Sequence, residues 1–361
     1  MKFRIAAIIA LSGLVLASPS YAQLYSVTDL GTLGGTSSSA SSINISGTIV
    51  GGAQTGSGQF HGFSYSGGVI TDLGTFGGTG SQANGINSGG TIVGSAYIAG
   101  NSAFHSFSYS GGVMTDLGTL GGNNSQAVGI NDAGTIVGDS NNGSGQDHAF
   151  VYSGGVMTDL GTLPGGNNSQ AAGINNSGTI VGLSNNGTAQ HAFSYSGGVM
   201  TDLGTLGGTF SQAEGINSAG TIVGQADTGS ANHAFSYSGG VMTDLGTLGG
   251  TTSLAADVNS AGTIVGDAET ASSVFHAFID TGGVMSDLNS SLDFSGAGWT
   301  LTFAEAVNDS GQVVGIGTIG GNTHAFLLNV VPEPSACALF VGGLGLLGVI
   351  LRRKLHAERG A

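Results

Sequence analysis

The feature that most constrains this chain is its periodicity. An Asp-Leu-Gly triplet begins at Asp29, Asp72, Asp116, Asp159, Asp202 and Asp244 and returns as Asp287-Leu288-Asn289, in steps of 43, 44, 43, 43, 42 and 43 residues. An Ile-Asn or Val-Asn pair recurs at Asn44, Asn87, Asn131, Asn175, Asn217, Asn259 and Asn308. A His-x-Phe triplet recurs at His61, His105, His148, His191, His233, His276 and His324. Each signature occurs seven times, so the body is seven copies of one supersecondary unit that must stack to bury its apolar face.

One unit reads as strands. Ala127 to Ile130 is a short strand, Asn131-Asp132-Ala133-Gly134 a turn, and Thr135 to Gly138 the return. A polar loop, Asp139 to Asp147, precedes an alternating third strand, His148 to Tyr152. Ser153-Gly154-Gly155 is a hairpin loop, and Val156 to Leu160 a fourth strand. Four strands per ~43 residues is the signature of a propeller blade. A β-solenoid is the competing architecture, but its coils are usually shorter and do not need two hairpins per unit.

The ends of the body favour a ring. Tyr25 to Leu30 is a fourth strand with no first three, and His324 to Leu328 is a third strand with no fourth. The first fragment completes the last unit, and closure removes the edges that would otherwise template aggregation. The expected fold is an all-β, seven-bladed β-propeller over residues 23–330, closed by its N-terminal strand.

Charge narrows the function. All six basic residues (Lys2, Arg4, Arg352, Arg353, Lys354 and Arg359) lie at the two ends, while Gln23 to Val330 holds 19 of the 21 acidic residues. With no cation in the body, nucleic-acid binding is excluded, as are arginine clamps and lysine chemistry. The single cysteine, Cys337, permits no internal disulfide.

Residues present in every unit point first to structure. A histidine donating to a carboxylate or amide is a common way to fix a blade; a metal or catalytic ring of histidines is the alternative. The repeated aspartates are expected to bond into the Gly-Thr-Leu-Gly-Gly connections. A glycoside hydrolase would need a carboxylate pair at one place in the ring, and none stands out. Oxygen-bearing side chains and a glycine in one loop (Asp139, Asn141, Gly143 and Asp147) suit Ca²⁺, although a bidentate glutamate is absent. No other cofactor is implied.

Both ends read as targeting devices. Lys2 and Arg4, the apolar stretch Ile5 to Leu16, and Ser20-Tyr21-Ala22 form a signal peptide over residues 1–22. At the other end, residues 331–361 carry Pro332, Glu333 and Pro334, an apolar run from Ala336 to Leu351, and then Arg352, Arg353 and Lys354. That run would rise about 24 Å as a helix, enough to span a membrane with snorkelling arginines.

This tail resembles the PEP-CTERM sorting signal. The resemblance implies recognition by an exosortase, transient anchoring in the inner membrane, and a Gram-negative bacterium that makes exopolysaccharide. The repeat resembles the HAF family of extracellular repeats, named for His-Ala-Phe; five copies match to the letter, while His61 precedes Gly62 and His105 precedes Ser106. That resemblance implies location and fold class and no catalytic activity. The expected function is a non-catalytic scaffold or binding module at the cell surface or in the extracellular matrix, associated with exopolysaccharide. The alternatives are an adhesin for protein or glycan ligands, and a polysaccharide hydrolase or lyase.

Overall fold

The computed structural model describes residues 23–332. The signal peptide, Glu333 and Pro334 of the sorting motif, and the apolar run 336–351 lie outside them. Among the described residues no helix is long and apolar enough to cross a membrane.

The described residues form seven four-stranded antiparallel sheets, each taking its strands in sequence order. This is the seven-bladed propeller, and no solenoid coil is needed. Blades 1 to 6 each carry an inner, a second, a third and an outer strand. In blade 3 these are Gly121–Ile130, Ile136–Asn142, Asp147–Ser153 and Val156–Asp159. Blade 7 has Trp299–Val307, Val313–Ile319 and Asn322–Val330, and takes Tyr25–Asp29 as its outer strand. That strand pairs antiparallel from Tyr25 opposite Val330 to Asp29 opposite Phe326. The ring therefore closes through chain ends about 300 residues apart, at the cost of one loop-closure entropy that grows only slowly with length.

Two strands run further than local composition predicts. The inner strand of blade 3 begins at Gly121 rather than Ala127, and the second continues through Asn142 rather than ending at Gly138. Gly, Asn, Asp and Ser have weak strand preference, but each blade is sandwiched between neighbours and this context decides.

The core lies between blades. The phenylalanine of each His-x-Phe triplet is fully buried at Phe63, Phe107, Phe150, Phe193, Phe235, Phe278 and Phe326. Each packs with an isoleucine or valine of its own second strand and an alanine of its inner strand. The next residue of the second strand (Val50, Val93, Val137, Val181, Val223, Val265 or Val314) is buried against the following blade. The glycine after that valine is fixed by sterics. The inner strand bulges between Ala127 and Gly129, and a Cβ on Gly138 would stand 1.9 Å from the Gln126 carbonyl oxygen.

Blade 7 departs from the repeat in a way the structure explains. Asn289 replaces the usual glycine; its amide N–H still donates to Asp287, and its side chain bonds both the carbonyl and the N–H of Leu301. Two short 3-10 turns follow, Leu288–Ser291 and Phe294–Gly296. Trp299 then meets Phe326 edge to face, with centroids 6.4 Å apart.

Candidate binding face and central channel

The antiparallel order gives the disc two unlike faces. One carries the inner-to-second turns and the third-to-outer hairpins. The turns have one design, with the Asn131 carbonyl accepting from Gly134 N–H and its own N–H bonded to Thr135. The hairpins nearly all read Ser-Gly-Gly. The other face carries the second-to-third loops, which differ in every blade, together with the connections between blades.

On the constant face the seven repeated asparagines form a closed hydrogen-bonded ring. Asn44 Nδ2 donates to the carbonyl of Asn87, and the relay runs through Asn131, Asn175, Asn217, Asn259 and Asn308 back to Asn44. Every member is buried. The ring surrounds one mouth of the central channel.

On the variable face each histidine meets an aspartate of the adjacent outer strand. Nδ1 lies 2.7–2.9 Å from the carboxylate in all seven blades, from His61–Asp72 to His324–Asp29 across the closure. An ionised carboxylate only accepts, so Nδ1 carries the hydrogen. The other side of the aspartate accepts the N–H two residues on, as Asp159 does from Gly161. His105, His148, His191, His233 and His276 make the same latch. Six blade joints add a serine relay, exemplified by Ala149 N–H to Ser169 Oγ to the Gly161 carbonyl. The histidines thus sit in seven separate pairs. Among the described residues no group of three or more His, Cys, Asp or Glu side chains could hold a metal ion.

The four residues expected to suit Ca²⁺ fall on two paired strands and the turn between them. Asp139 and Asn141 lie on a paired strand, opposite Gln126 or Ala149 and opposite Asp147. Gly143 stands in the short turn, and Asp147 opens the third strand. Asn141 Nδ2 donates to Asp147 Oδ1, which spends one acceptor the ion would need. Burial, and then the Asp147 charge, push the Asp139 carboxyl up to about 6. Asp139 to Asn142 became strand because blade pairing continues past Gly138, and Gly143 to Gln146 remain the turn.

The channel holds a feature that the sequence reading missed. A cavity of about 430 Å³ inside the ring is lined by the inner strands, including Glu214, Asp257 and Glu305. Glu214 and Glu305 occupy one repeat position, held elsewhere by Ser41, Asn84, Val128, Ala172 and Ala256. Burial pushes Glu214 up to about 7. Burial does the same to Glu305, reinforced by the charges of Glu214 and Asp267. Asp257 is pushed up to about 6 by burial, although it accepts the backbone N–H groups of Val307 and Val258. Asp267 is likewise raised to about 7 by burial, and its Oδ1 is buried without a partner. The three channel carboxylates come from consecutive blades 5, 6 and 7, so the acidic wall breaks the ring's symmetry on one side.

A second cavity, of about 490 Å³, opens on the variable face where blades 1 and 2 meet. Phe60, Tyr97, Phe104, Gly80, Thr79, Ser95 and the glutamines Gln59, Gln82 and Gln126 line it, with no charged side chain among the lining residues.

Residues 330–354 match the PEP-CTERM protein-sorting motif. That motif marks an exported protein sorted by an exosortase through a transient membrane anchor. No curated protein matches the chain in sequence. Among solved structures, the chain is similar to TolB from Acinetobacter baumannii (14% identity, 67% of this chain, TM-score 0.46), and it spans 64% of that protein's length. It is also similar to a gluconolactonase from Xanthomonas campestris (10% identity, 87% of this chain and 99% of that one, TM-score 0.39). A third likeness is to the six-bladed fungal lectin of Aleuria aurantia (14% identity, 70% and 94%, TM-score 0.41). Likenesses this distant carry no argument about site or activity.

Proposed function

We propose that this exported propeller is a non-catalytic binding module of the extracellular matrix or cell surface of a Gram-negative bacterium, with exopolysaccharide as its partner. One observation carries the reading. The repeated Asn, His and Asp residues and the inner-strand serines are spent on the frame, in the asparagine ring, the His–Asp latches and the serine relays, while the loops that vary in every blade gather on one face. A constant frame that presents variable loops is the arrangement of a binding surface. The sorting tail, the uniformly acidic body and the likeness of the repeat to HAF proteins support the same location and partner.

The acidic wall of the channel favours a second reading, a polysaccharide hydrolase or lyase. Carboxylates with raised pKa values are the groups such chemistry uses. One assay separates the two. The protein recovered from its host's extracellular fraction is mixed with the purified exopolysaccharide; sedimentation and reducing-end release are followed. Co-sedimentation with no release is the expected result. Release that Glu305→Gln abolishes overturns the non-catalytic reading, and failure to co-sediment overturns the binding reading.

A further inference from the structure

Phe60 and Tyr97 are 46% and 41% exposed, and both stand at the mouth of the cavity between blades 1 and 2. Tyr97 is braced by Phe104, edge to face at 5.9 Å. Single exposed apolar residues need no explanation, but three aromatic rings gathered on an otherwise polar frame do. The repeat shows how unusual they are. The position of Phe60 is aromatic in blades 2 and 6 as well (Phe104 and Phe275) and polar in blades 3 to 5, whereas that of Tyr97 is polar in blades 3 to 6 (Asn141, Asn185, Asp227 and Glu269). Only blade 2 sets two aromatic rings across one strand pair, with Phe60 of the neighbouring blade lining the same cavity.

The floor of the cavity is altered in the same place. Gly80 stands where other inner strands carry Ser37, Asn124, Asn168, Phe210 or Thr252. A Cβ here would lie 3.2 Å from the Phe60 carbonyl oxygen and 3.5 Å from the Tyr97 ring. In the next two blades this position caps a backbone donor, since Asn124 accepts from Phe104 N–H and Asn168 from Asp147 N–H. Glycine removes that cap, so the equivalent amide of Phe60 lacks this partner. Two departures from the repeat therefore coincide at this joint, the added aromatic face of Tyr97 and the side chain removed at Gly80.

We infer that this cavity is a subsite for a neutral hexopyranose unit of a polysaccharide, an inference that rests on the binding reading above and names its ligand. A pyranose with equatorial hydroxyls has a ring face made of C–H groups, which packs on an aromatic face, and a hydroxyl rim that needs neutral donors and acceptors. Phe60 and Tyr97 supply the first; Gln59, Thr79, Ser95 and Gln126 line the cavity with the second. The charge of the body decides against uronates and sulfated sugars: from Gln23 to Val330 there is no Lys or Arg to pair an acidic sugar, and 19 carboxylates stand against it.

The test uses the exported protein and two probes, β-linked glucose and mannose oligosaccharides on one side and oligogalacturonate on the other. Calorimetry is run on the wild type and on Phe60→Gln and Tyr97→Asn, which install the residues of blade 4 (Gln190 and Asn185) and are checked by thermal melting. Saturation-transfer NMR on the wild type, irradiating aromatic protons, reads ring contact without any variant. The expected result is binding of the neutral probe, none of the acidic one, saturation of the sugar C–H face, and about a tenfold weakening for each swap. Folded swaps that keep full affinity, or no saturation transfer, overturn the subsite and leave the binding reading intact. Co-sedimentation with the native exopolysaccharide but no binding of either neutral probe, or binding of the acidic probe, overturns the neutral-sugar assignment alone. No binding to any of them overturns both readings.

Discussion

The asparagine ring makes a quantitative prediction about closure. Asn131 lies mid-ring, and Asn308 lies at the joint between the last blade and the first. Each is about 5% exposed and makes the same two kinds of bond. Asn131 Nδ2 donates to the Asn175 carbonyl at 3.3 Å, and its Oδ1 accepts from Thr135 N–H at 3.0 Å. Asn308 Nδ2 donates to the Asn44 carbonyl at 3.1 Å, and its Oδ1 accepts from Gln312 N–H at 3.1 Å; Asn308 also donates to Gln312 Oε1 at 2.8 Å and accepts from Ser310 N–H at 3.0 Å. Alanine at either position strands one buried N–H, at about 1–3 kcal/mol, and takes one of two donors from a carbonyl that keeps the N–H of Gly178 or Gly47, at about 0.5–1.5 kcal/mol. The expected loss is about 3 kcal/mol for Asn131→Ala, or roughly 6 °C in melting temperature for a chain of this size, and no less for Asn308→Ala, which also loses the bonds to Gln312 Oε1 and Ser310 N–H. Calorimetry gives the midpoint, and the fluorescence of Trp299, packed on Phe326 beside the joint, gives a second probe whose coincidence tests two-state behaviour. In an open stack the acceptor of Asn308 would be missing, and only the bonds within its own turn would be lost. A cost for Asn308→Ala near half that for Asn131→Ala would refute closure through this ring.

Two further predictions follow from the same frame. Deleting Tyr25 to Leu33 removes the outer strand of blade 7, the buried side chains Tyr25 and Leu30 and the carboxylate that latches His324; the melting temperature should fall by more than in either asparagine variant, and an unchanged midpoint would exclude the clasp. The channel carboxylates make stability depend on pH. Their folded pKa values, about 7 for Glu214 and Glu305 and about 6 for Asp257, lie above those of the unfolded chain. The folded state then binds more protons between about pH 4 and 7, and stability falls as pH rises through that window. Glu305→Gln should leave the melting temperature at pH 4 nearly unchanged and raise stability at pH 8 by about 3 kcal/mol, since burial holds the carboxyl up at about 7; equal melting curves for the two proteins at pH 8 would show that the carboxyl is not desolvated.

The blade count, the clasp and the His–Asp position were all legible because repetition turns weak local signals into a strong one. Seven Asp-Leu-Gly and seven His-x-Phe triplets fix strand phase better than propensity does. Strand length was not legible. Gly121 to Ser125 and Asp139 to Asn142 carry loop composition, and only the flanking blades hold them extended. The acidic wall was hidden for a different reason. Glu214 and Glu305 are ninety-one residues apart, and they become neighbours only once the inner strand is known to line the channel and its phase is set by the bulge. Comparing repeat columns would have found both them and the aromatic cluster, since Tyr97 and Gly80 depart from the frame at one joint, beside Phe60 and Phe104.

Those departures separate what the fold requires from what it carries. A column that reads Ser, Asn, Val and Ala in five blades accepts small or apolar residues, so the frame does not ask for a carboxylate at Glu214 or Glu305. Burying two there destabilises the ring above neutral pH, and Asp257 and the partly unpaired Asp267 deepen that cost. Residues that lower stability without serving the frame are the usual mark of a functional site. The aromatic cluster obeys the same logic on the outer face, where polar residues suffice in most other blades. The two sites differ in what they can recognise: the channel is small and acidic, while the inter-blade cavity is open and uncharged. A neutral polymer can lie across the variable face and engage the second without entering the first. The Glu305→Gln variant addresses the acidic wall independently of the aromatic swaps.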